Sequence, residues 1–417
     1  MSYQPHLHKK IYHAARHFIA GLWLSKQNVI QIAITGSQGK TNTTKLIYEM
    51  LNKYAPTVVT DINLDTIYNV PITALHVSPK TKYALFELGI DHPGEMDSYL
   101  KIVKPNIAII TGISPVHADS SHLGSLENII YEKRKLIESL APSGYAILNH
   151  DDEHVRKMSL HTKGRIIFYG TRKEADIWVE NVSVSLQGTH FTLHDKTKTY
   201  ELSTKLIGKH HIYTIMAAYA VQKILNLPEN TFIEAVSASK PLHRRLSVEK
   251  GPMDTILLDD SLRANPASTA SGITTLSEII YVGGRKIAVL GEMGELGDYA
   301  VGEHKKIGTL LSSQPIDWFI GIGPLQKYTI EEAIASGLSP NRALWAENVF
   351  VAAELLKKIL KKGDMLYLKG SVLRHVERVI LLLEKNEVAC TVINCPFYNH
   401  CSKCSYLKSG YQNLIDF

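Results

Sequence analysis

Ile32-Ala33-Ile34-Thr35-Gly36-Ser37-Gln38-Gly39-Lys40-Thr41-Asn42-Thr43-Thr44 is an apolar run that stops at one glycine and, after a second, resumes as a helix-forming segment. A buried strand leading into Gly-x-x-Gly-Lys-Thr has the chemistry of a phosphate loop. The glycines let backbone N–H groups close on phosphate oxygens, Lys40 adds a point charge, and Thr41 offers a hydroxyl to Mg²⁺. A helix expected from about Thr43 to Lys53 points its positive end at the same place. Gly36, Ser37, Gln38, Gly39, Lys40, Thr41 and Asn42 are therefore the expected nucleotide contacts, with ATP and Mg²⁺ as the expected ligands. The longer form of such loops carries a glycine five residues before Gly39, where this chain has Ile34. This is the shorter form, and a tight strand-to-helix turn that holds no ligand is its bland alternative.

A chain of 417 residues exceeds what one core usually serves, so two or three domains are expected. With 45% hydrophobic and 21% charged residues the composition is that of an ordinary globular protein. It has no apolar stretch long enough to span a bilayer, and nothing with the layout of a secretory signal. The expected location is the cytoplasm, and the expected state a monomer. A net charge of +6 is mild for this length and comes without a dense Lys/Arg run or interleaved aromatics. It suits anionic small substrates and gives no reason to expect nucleic acid.

Downstream of the loop, buried-strand runs at Tyr83 to Leu88, Ile107 to Thr111 and Tyr145 to Asn149 alternate with helical stretches around Gly94 to Val103 and Ser125 to Leu140. That alternation predicts an α/β fold: a central P-loop ATPase domain on a mostly parallel, doubly wound sheet. Between Asp176 and Leu206 the period changes to two, as in an antiparallel insertion, and an alanine-rich helix follows over His211 to Leu225. A second alternation begins at Thr255, with strands at Thr255 to Leu258, Lys286 to Leu290, Trp318 to Ile322 and Met365 to Leu368, and predicts a Rossmann-like C-terminal α/β domain. The expected segments are an N-terminal helical piece over 1–28, the ATP-binding domain over 29–240, the second domain over 241–388, and a cysteine-rich tail over 389–417.

Outside the loop, Glu87 closes a strand at the end of the sheet where open α/β folds hold ligands, and could bind Mg²⁺. His117 follows the next strand after a turn and could ligate a second cation. Lys133 alone reads as a surface lysine. Asp259, Asp260 and Asn265 suit nucleotide or cation contact as well as helix capping. All four cysteines, Cys390, Cys395, Cys401 and Cys404, lie in the last 28 residues. The Cys401-Ser-Lys-Cys404 spacing lets two thiolates reach one metal, which favours a structural Zn²⁺ clip. An iron–sulfur cluster, two disulfides and four unligated thiols remain as alternatives.

Taken together these segments resemble the Mur ligase family, nearest to its D-alanyl-D-alanine-adding branch. The resemblance is carried by the phosphate loop, Phe86-Glu87-Leu88-Gly89, Pro93-Gly94-Glu95-Met96, Thr111 to His117, Leu258-Asp259-Asp260-Ser261, Ala264-Asn265-Pro266-Ala267-Ser268, Val289 to Gly297, His304 and Lys369-Gly370-Ser371. It implies an ATP-dependent carboxylate–amine ligase of peptidoglycan synthesis that works through an acyl phosphate. It further implies Lys40 on the β- and γ-phosphates, Thr41 and Glu87 on one Mg²⁺, His117 on a second, and Lys133 carried as a carbamate. Arg245 would reach ATP from the second domain as the domains close, with Asp260 and Asn265 near the nucleotide. The implied substrates are a UDP-linked or lipid-linked muropeptide and an amino acid or dipeptide.

The resemblance has departures. The family ordinarily begins with a separate UDP-binding domain of roughly eighty residues or more, expected to be absent here. In its place Ile11 to Leu24 sets Phe18, Ile19, Leu22 and Trp23 beside basic residues, as a packing helix or one touching a membrane surface. His210-His211 stands where the family has His-Asn, and Leu262-Arg263 where it has Tyr-Asn. The alternatives are a related ligase or amidotransferase subunit acting on another carboxylate, such as a lipid-linked muropeptide or a polyglutamate-type polymer, and a nucleotide-binding scaffold without turnover.

Overall fold

The computed structural model describes residues 7–61, 66–116, 118–372, 374–392, 395, 397 and 400–410; of 7–11 and 66 it describes the backbone alone. The chain divides into two compact units, one of residues 1–183, 190–204 and 210–239, the other of 184–189, 205–209 and 240–417.

The first unit runs α1 (Leu7–Ser25), β1 (Ile30–Thr35), α2 (Lys40–Tyr54), β2 (Thr57–Val59), α3 (Thr66–His76), β3 (Tyr83–Glu87), α4 (Glu95–Ile102), β4 (Ile107–Ile110), α5 (Leu126–Glu138), β5 (Tyr145–Asn149), α6 (Glu153–Met158) and β6 (Arg165–Gly170). It continues through β7 (Ile177–Ser185), β8 (Gly188–Asp195), β9 (Thr199–Thr204), α7 (His211–Leu225) and α8 (Glu229–Ala238). One sheet holds all nine strands in the order β2-β3-β1-β4-β5-β6-β7-β8-β9, and every pair from β2 to β7 is parallel. The segment of alternating residues after Asp176 thus extends the same sheet at its edge.

Alternation along β1 explains the layers. Ile32 and Ile34 pack with Ile47, Met50 and Leu51 of α2 and with α7 and α8, whereas Ala33 faces Ala20 and Leu24 of α1, Tyr99 of α4 and Leu136 of α5. Covered on both faces, the central strands read as unbroken apolar runs, and each fully buried Ile or Leu contributes roughly 1.5–3 kcal/mol. In α1, Ala20 and Leu24 are buried and the Trp23 indole N–H donates to the Val77 carbonyl at 2.7 Å. Phe18, Ile19 and Leu22 of the same helix point outward. Among the described residues no helix is long and apolar enough to cross a membrane.

The second unit comprises β10 (Ser247–Lys250), β11 (Ile256–Asp260), α9 (Pro266–Glu278), β12 (Lys286–Leu290), α10 (Ala300–Ser312), β13 (Trp318–Ile322), α11 (Gln326–Ala335), β14 (Ala343–Ala346), α12 (Val349–Ile359), β15 (Met365–Lys369) and α13 (Arg378–Leu383). Its strand order is β10-β11-β15-β12-β13-β14, with β10 antiparallel and the rest parallel. The last strand, β15, enters the middle of the sheet. Again the strands alternate: Ala288, Leu290 and Tyr367 face α9 and α10, and Ile287, Val289, Leu366 and Leu368 face α12 and α13.

Several elements were not anticipated from the sequence. Pro71 sits inside α3, where the missing N–H and the ring would ordinarily end a helix. The strand β2 has three half-buried residues, and β6 begins with exposed Arg165 and Ile166, so neither reads as a buried run. Helix α2 starts at Lys40 rather than Thr43, because Gly39 in the left-handed region closes its N-terminus.

Candidate active site

Three adjacent strand ends build the site. Ile34 of β1 lies opposite Glu87 of β3, and Thr35 opposite Ile110 of β4, so Gly36, Glu87 and Thr111 leave the sheet side by side. The loop after β1 is pinned to the segment after β4. Ser37 N–H donates to the Gly112 carbonyl at 2.7 Å, and the Ser37 hydroxyl donates to the Ser114 carbonyl at 2.9 Å. Gly36 has φ 149°, and a Cβ there would lie 2.1 Å from the Thr111 hydroxyl. Gly36→Ala should therefore cost roughly 2–4 kcal/mol and weaken ATP binding, read by urea unfolding and calorimetric titration. Unchanged values would show that the close approach to Thr111 is not needed.

Helix α2 opens with no side-chain cap and no acidic residue in its first turn, leaving its positive end to an anion. Lys40 reaches back over the loop, its Nζ donating to the Gly36 carbonyl at 2.7 Å. The Thr41 hydroxyl donates to Glu87 Oε1 at 2.9 Å, and Thr60 Oγ1 accepts the Glu87 N–H at 2.9 Å. A hydroxyl and a half-buried carboxylate beside a phosphate-binding loop are oxygen donors of the kind Mg²⁺ takes, so the residues fit that ion. His117 lies outside the described residues.

Lys133 and Lys135 lie two positions apart on α5 and have different surroundings. Lys133 is buried at 2% exposure, and burial, reinforced by the Lys40 charge, lowers its amine to about 7 against the pull of Asp91, Glu95 and Glu132. Lys135 instead pairs with Asp97 at 2.6 Å and Glu132 at 2.7 Å. Burial would lower its pKa, but these two carboxylates outweigh it and raise it. Lys133 is thus the lysine that faces the charge of Lys40, and its neutral amine is well populated near neutrality. Behind the loop, His211 is buried against His210 with ring centroids 4.1 Å apart, and burial drives it well below the ordinary imidazole range.

In the second unit, Asp260 accepts from Lys369 Nζ at 2.7 Å and from the Tyr367 hydroxyl at 3.1 Å. Burial raises its carboxyl in spite of Lys369. Asn265 caps α9, its side chain accepting the Ser268 N–H at 2.9 Å in a reciprocal capping box. His304 is fully buried, its Nδ1 against the Ala300 carbonyl and its Nε2 accepting the Met293 N–H. Arg244 and Arg245 differ sharply. Arg244 is buried, donating to Ser261 and to Glu377 at 3.0 Å, whereas Arg245 is half-buried. Arg244→Met should cost about 3–5 kcal/mol in urea unfolding by stranding Glu377, and Arg245→Ala less than about 1 kcal/mol. Equal losses would contradict this division.

The tail packs on the end of α13. Cys390, Cys395 and Cys401 are buried, Cys404 is half-buried, and none of the four is in a disulfide. Burial pushes the Cys401 thiol up to about 12. Among the described residues, His375, Glu377 and Cys401 are the one group of three potential metal ligands with atoms within 4.8 Å of one another. The remaining three cysteines stand outside that group. Arg378, Glu377 and His375, which surround these thiols, carried no signal in the sequence.

Comparison with known proteins bears on this arrangement. Residues 34–222 match the Mur ligase middle domain, and 244–372 match the Mur ligase glutamate ligase domain. The UDP-N-acetylmuramoyl-tripeptide–D-alanyl-D-alanine ligase of Buchnera aphidicola is 32% identical over 317 residues, 75% of this chain and 67% of that protein. The Bacillus subtilis enzyme of the same name is 29% identical over 363 residues, 87% of this chain and 77% of its own. Among solved structures, MurF from Acinetobacter baumannii superposes with TM-score 0.80 at 24% identity, over 90% of this chain and 81% of that one. The MurF ligase of Thermotoga maritima in complex with ADP does so with TM-score 0.76 at 21% identity, over 89% and 83%.

Proposed function

The chain belongs to the Mur ligase family of ATP-dependent, ADP-forming ligases, and from that premise we propose that it joins D-alanyl-D-alanine to a UDP-muramoyl tripeptide in peptidoglycan synthesis. The observation that carries the chemistry is the corner formed by Gly36, Lys40, Thr41 and Glu87 at the ends of β1 and β3. The choice of substrates is supported by the relatives' names.

In this reading a substrate carboxylate oxygen attacks the γ-phosphorus of ATP, the bond to ADP breaks, and an acyl phosphate forms. The amine then attacks the acyl carbon, phosphate leaves with its pair of electrons, and the amine gives up a proton. The first-turn N–H groups of α2 and the Lys40 ammonium hold the phosphates and neutralise charge as it moves onto them. Thr41 and Glu87 would hold Mg²⁺, which supplies Lewis-acid polarisation of the phosphate oxygens. The neutral Lys133 amine is suited to add CO₂, losing a proton and becoming a carbamate anion; with His117, as the family resemblance implies, it would hold a second cation. Roles for Arg245, Asp260 and Asn265 at the nucleotide rest on the family resemblance.

Phosphate release should require ATP, Mg²⁺, UDP-muramoyl tripeptide and D-alanyl-D-alanine together. Silence on that pair, with turnover on a lipid-linked muropeptide, would select a second reading. The outward row Phe18, Ile19 and Leu22 on α1 favours that second reading, since such a face can rest on a lipid surface.

A further inference from the structure

Arg378 is 3% exposed, and among the described residues its guanidinium donates hydrogen bonds to neutral groups alone: Nε donates to Cys401 Sγ at 3.1 Å, Nη2 to Cys390 Sγ at 3.4 Å, and Nη1 to the carbonyls of Cys390 and Val392. A buried guanidinium keeps its charge, and a buried charge without an anion is strongly unfavourable. Glu377, next in the chain, makes its hydrogen bonds elsewhere. Its carboxylate accepts from Arg244 at 3.0 Å, His375 Nδ1 at 3.0 Å and the Cys401 N–H at 3.3 Å.

The backbone of the tail brings together the segments of Cys390, Cys401 and Cys404. Ala389 and Cys390 N–H both donate to the Leu407 carbonyl, Leu407 N–H to Cys404, and Cys404 N–H to Cys401. Cys390 therefore lies against the turn that carries Cys401 and Cys404. Among the described residues the apolar cluster beneath is Leu381, Cys401 and Leu407, with Val388 beside it. So small a core does not hold a segment of this length without a staple.

We propose that Cys390, Cys395, Cys401 and Cys404 form a structural zinc site, and that Arg378 is the buried cation that balances and hydrogen-bonds its thiolates. Binding releases four thiol protons for one Zn²⁺ and leaves the centre with a charge of about −2, which meets the Arg378 charge. The rival set His375, Glu377 and Cys401 would place a dication with two anionic ligands between Arg244 and Arg378, deepening the positive excess. Two disulfides or four thiols would be neutral and leave Arg378 unbalanced. Guanidinium N–H groups aimed at sulfur are the outer-shell contacts such a centre uses.

The full-length chain, expressed with zinc in the medium, should carry about one zinc per molecule. Its thiols should resist a colour-forming disulfide reagent until a chelator is added. Cys404→Ser should lose the zinc and His375→Ala keep it. Arg378→Lys, which retains charge but not the fork, should weaken zinc binding by about 10–100-fold. A folded chain without zinc whose thiols react freely would overturn the proposal, as would iron with sulfide, or zinc kept by Cys404→Ser and lost by His375→Ala. Metal content and thiol protection in the unaltered chain decide the matter even where a variant does not fold, and neither depends on ligase turnover.

Discussion

Lys40→Ala lowers ligase turnover by on the order of 10²–10³-fold, the usual loss on removing one preorganised charge from a site of transition-state charge development. The lysine is held for the task, its Nζ on the Gly36 carbonyl at the mouth of the loop while its stem stays half-buried. Its removal exposes no new cavity in the core, so urea unfolding should shift by less than about 1 kcal/mol. Loss of activity without loss of stability is the expected signature. A second consequence lies in Lys133, because the Lys40 charge is, after burial, the next cause of its lowered pKa. In Lys40→Ala the Lys133 amine should titrate higher, measurable as a later rise in its reaction with an amine-specific label as pH increases. Turnover like the parent's would refute the assigned phosphate contact.

Lys133→Met should make the protein more stable and less active. In the folded chain the Lys133 pKa is lowered from 10.5 to about 7. The unfolded chain therefore binds one more proton than the folded one between those values, and stability rises with pH through that window. The penalty is complete below pH 7 and amounts to at most about 5 kcal/mol, at 1.36 kcal/mol for each unit. Methionine fills the space without the charge. In CO₂-free buffer its advantage in urea unfolding should be large near about pH 6.5 and much smaller near about pH 9.5. Turnover should fall by at least about 10²-fold, and the parent's dependence on bicarbonate should vanish in the variant. A pH-independent stability difference would show that Lys133 is not held neutral.

These two lysines also mark what the chain of residues could and could not reveal. The period of apolar runs was enough to place β1, β3, β4 and β5 and the second alternation, because strands buried on both faces must be apolar throughout. Glu87 and Thr41 were legible since a polar residue at the end of such a run has few structural reasons to be there. Lys133 and Lys135 are two positions apart, which turns them about 200° around a helix, but which one faces inward depends on α4 and the loop. Only the packing shows that Lys133 is buried and Lys135 is paired with Asp97. The same holds for Arg244 and Arg245, whose division follows from Glu377 arriving from a segment distant in sequence. Helix α3 was hidden by Pro71, and the approach of Thr111 to Gly36 is a tertiary fact with no local sign. The cysteine spacing was visible, whereas the buried Arg378 that gives it meaning was not.

The most direct measurement follows the oxygen. UDP-muramoyl tripeptide labelled with ¹⁸O in the reacting carboxylate is turned over with ATP and D-alanyl-D-alanine, and the products are weighed by mass spectrometry. An acyl phosphate transfers one carboxylate oxygen to the departing phosphate, so the account predicts ADP together with inorganic phosphate carrying the label. Unlabelled phosphate, or AMP and pyrophosphate in place of ADP, would contradict it.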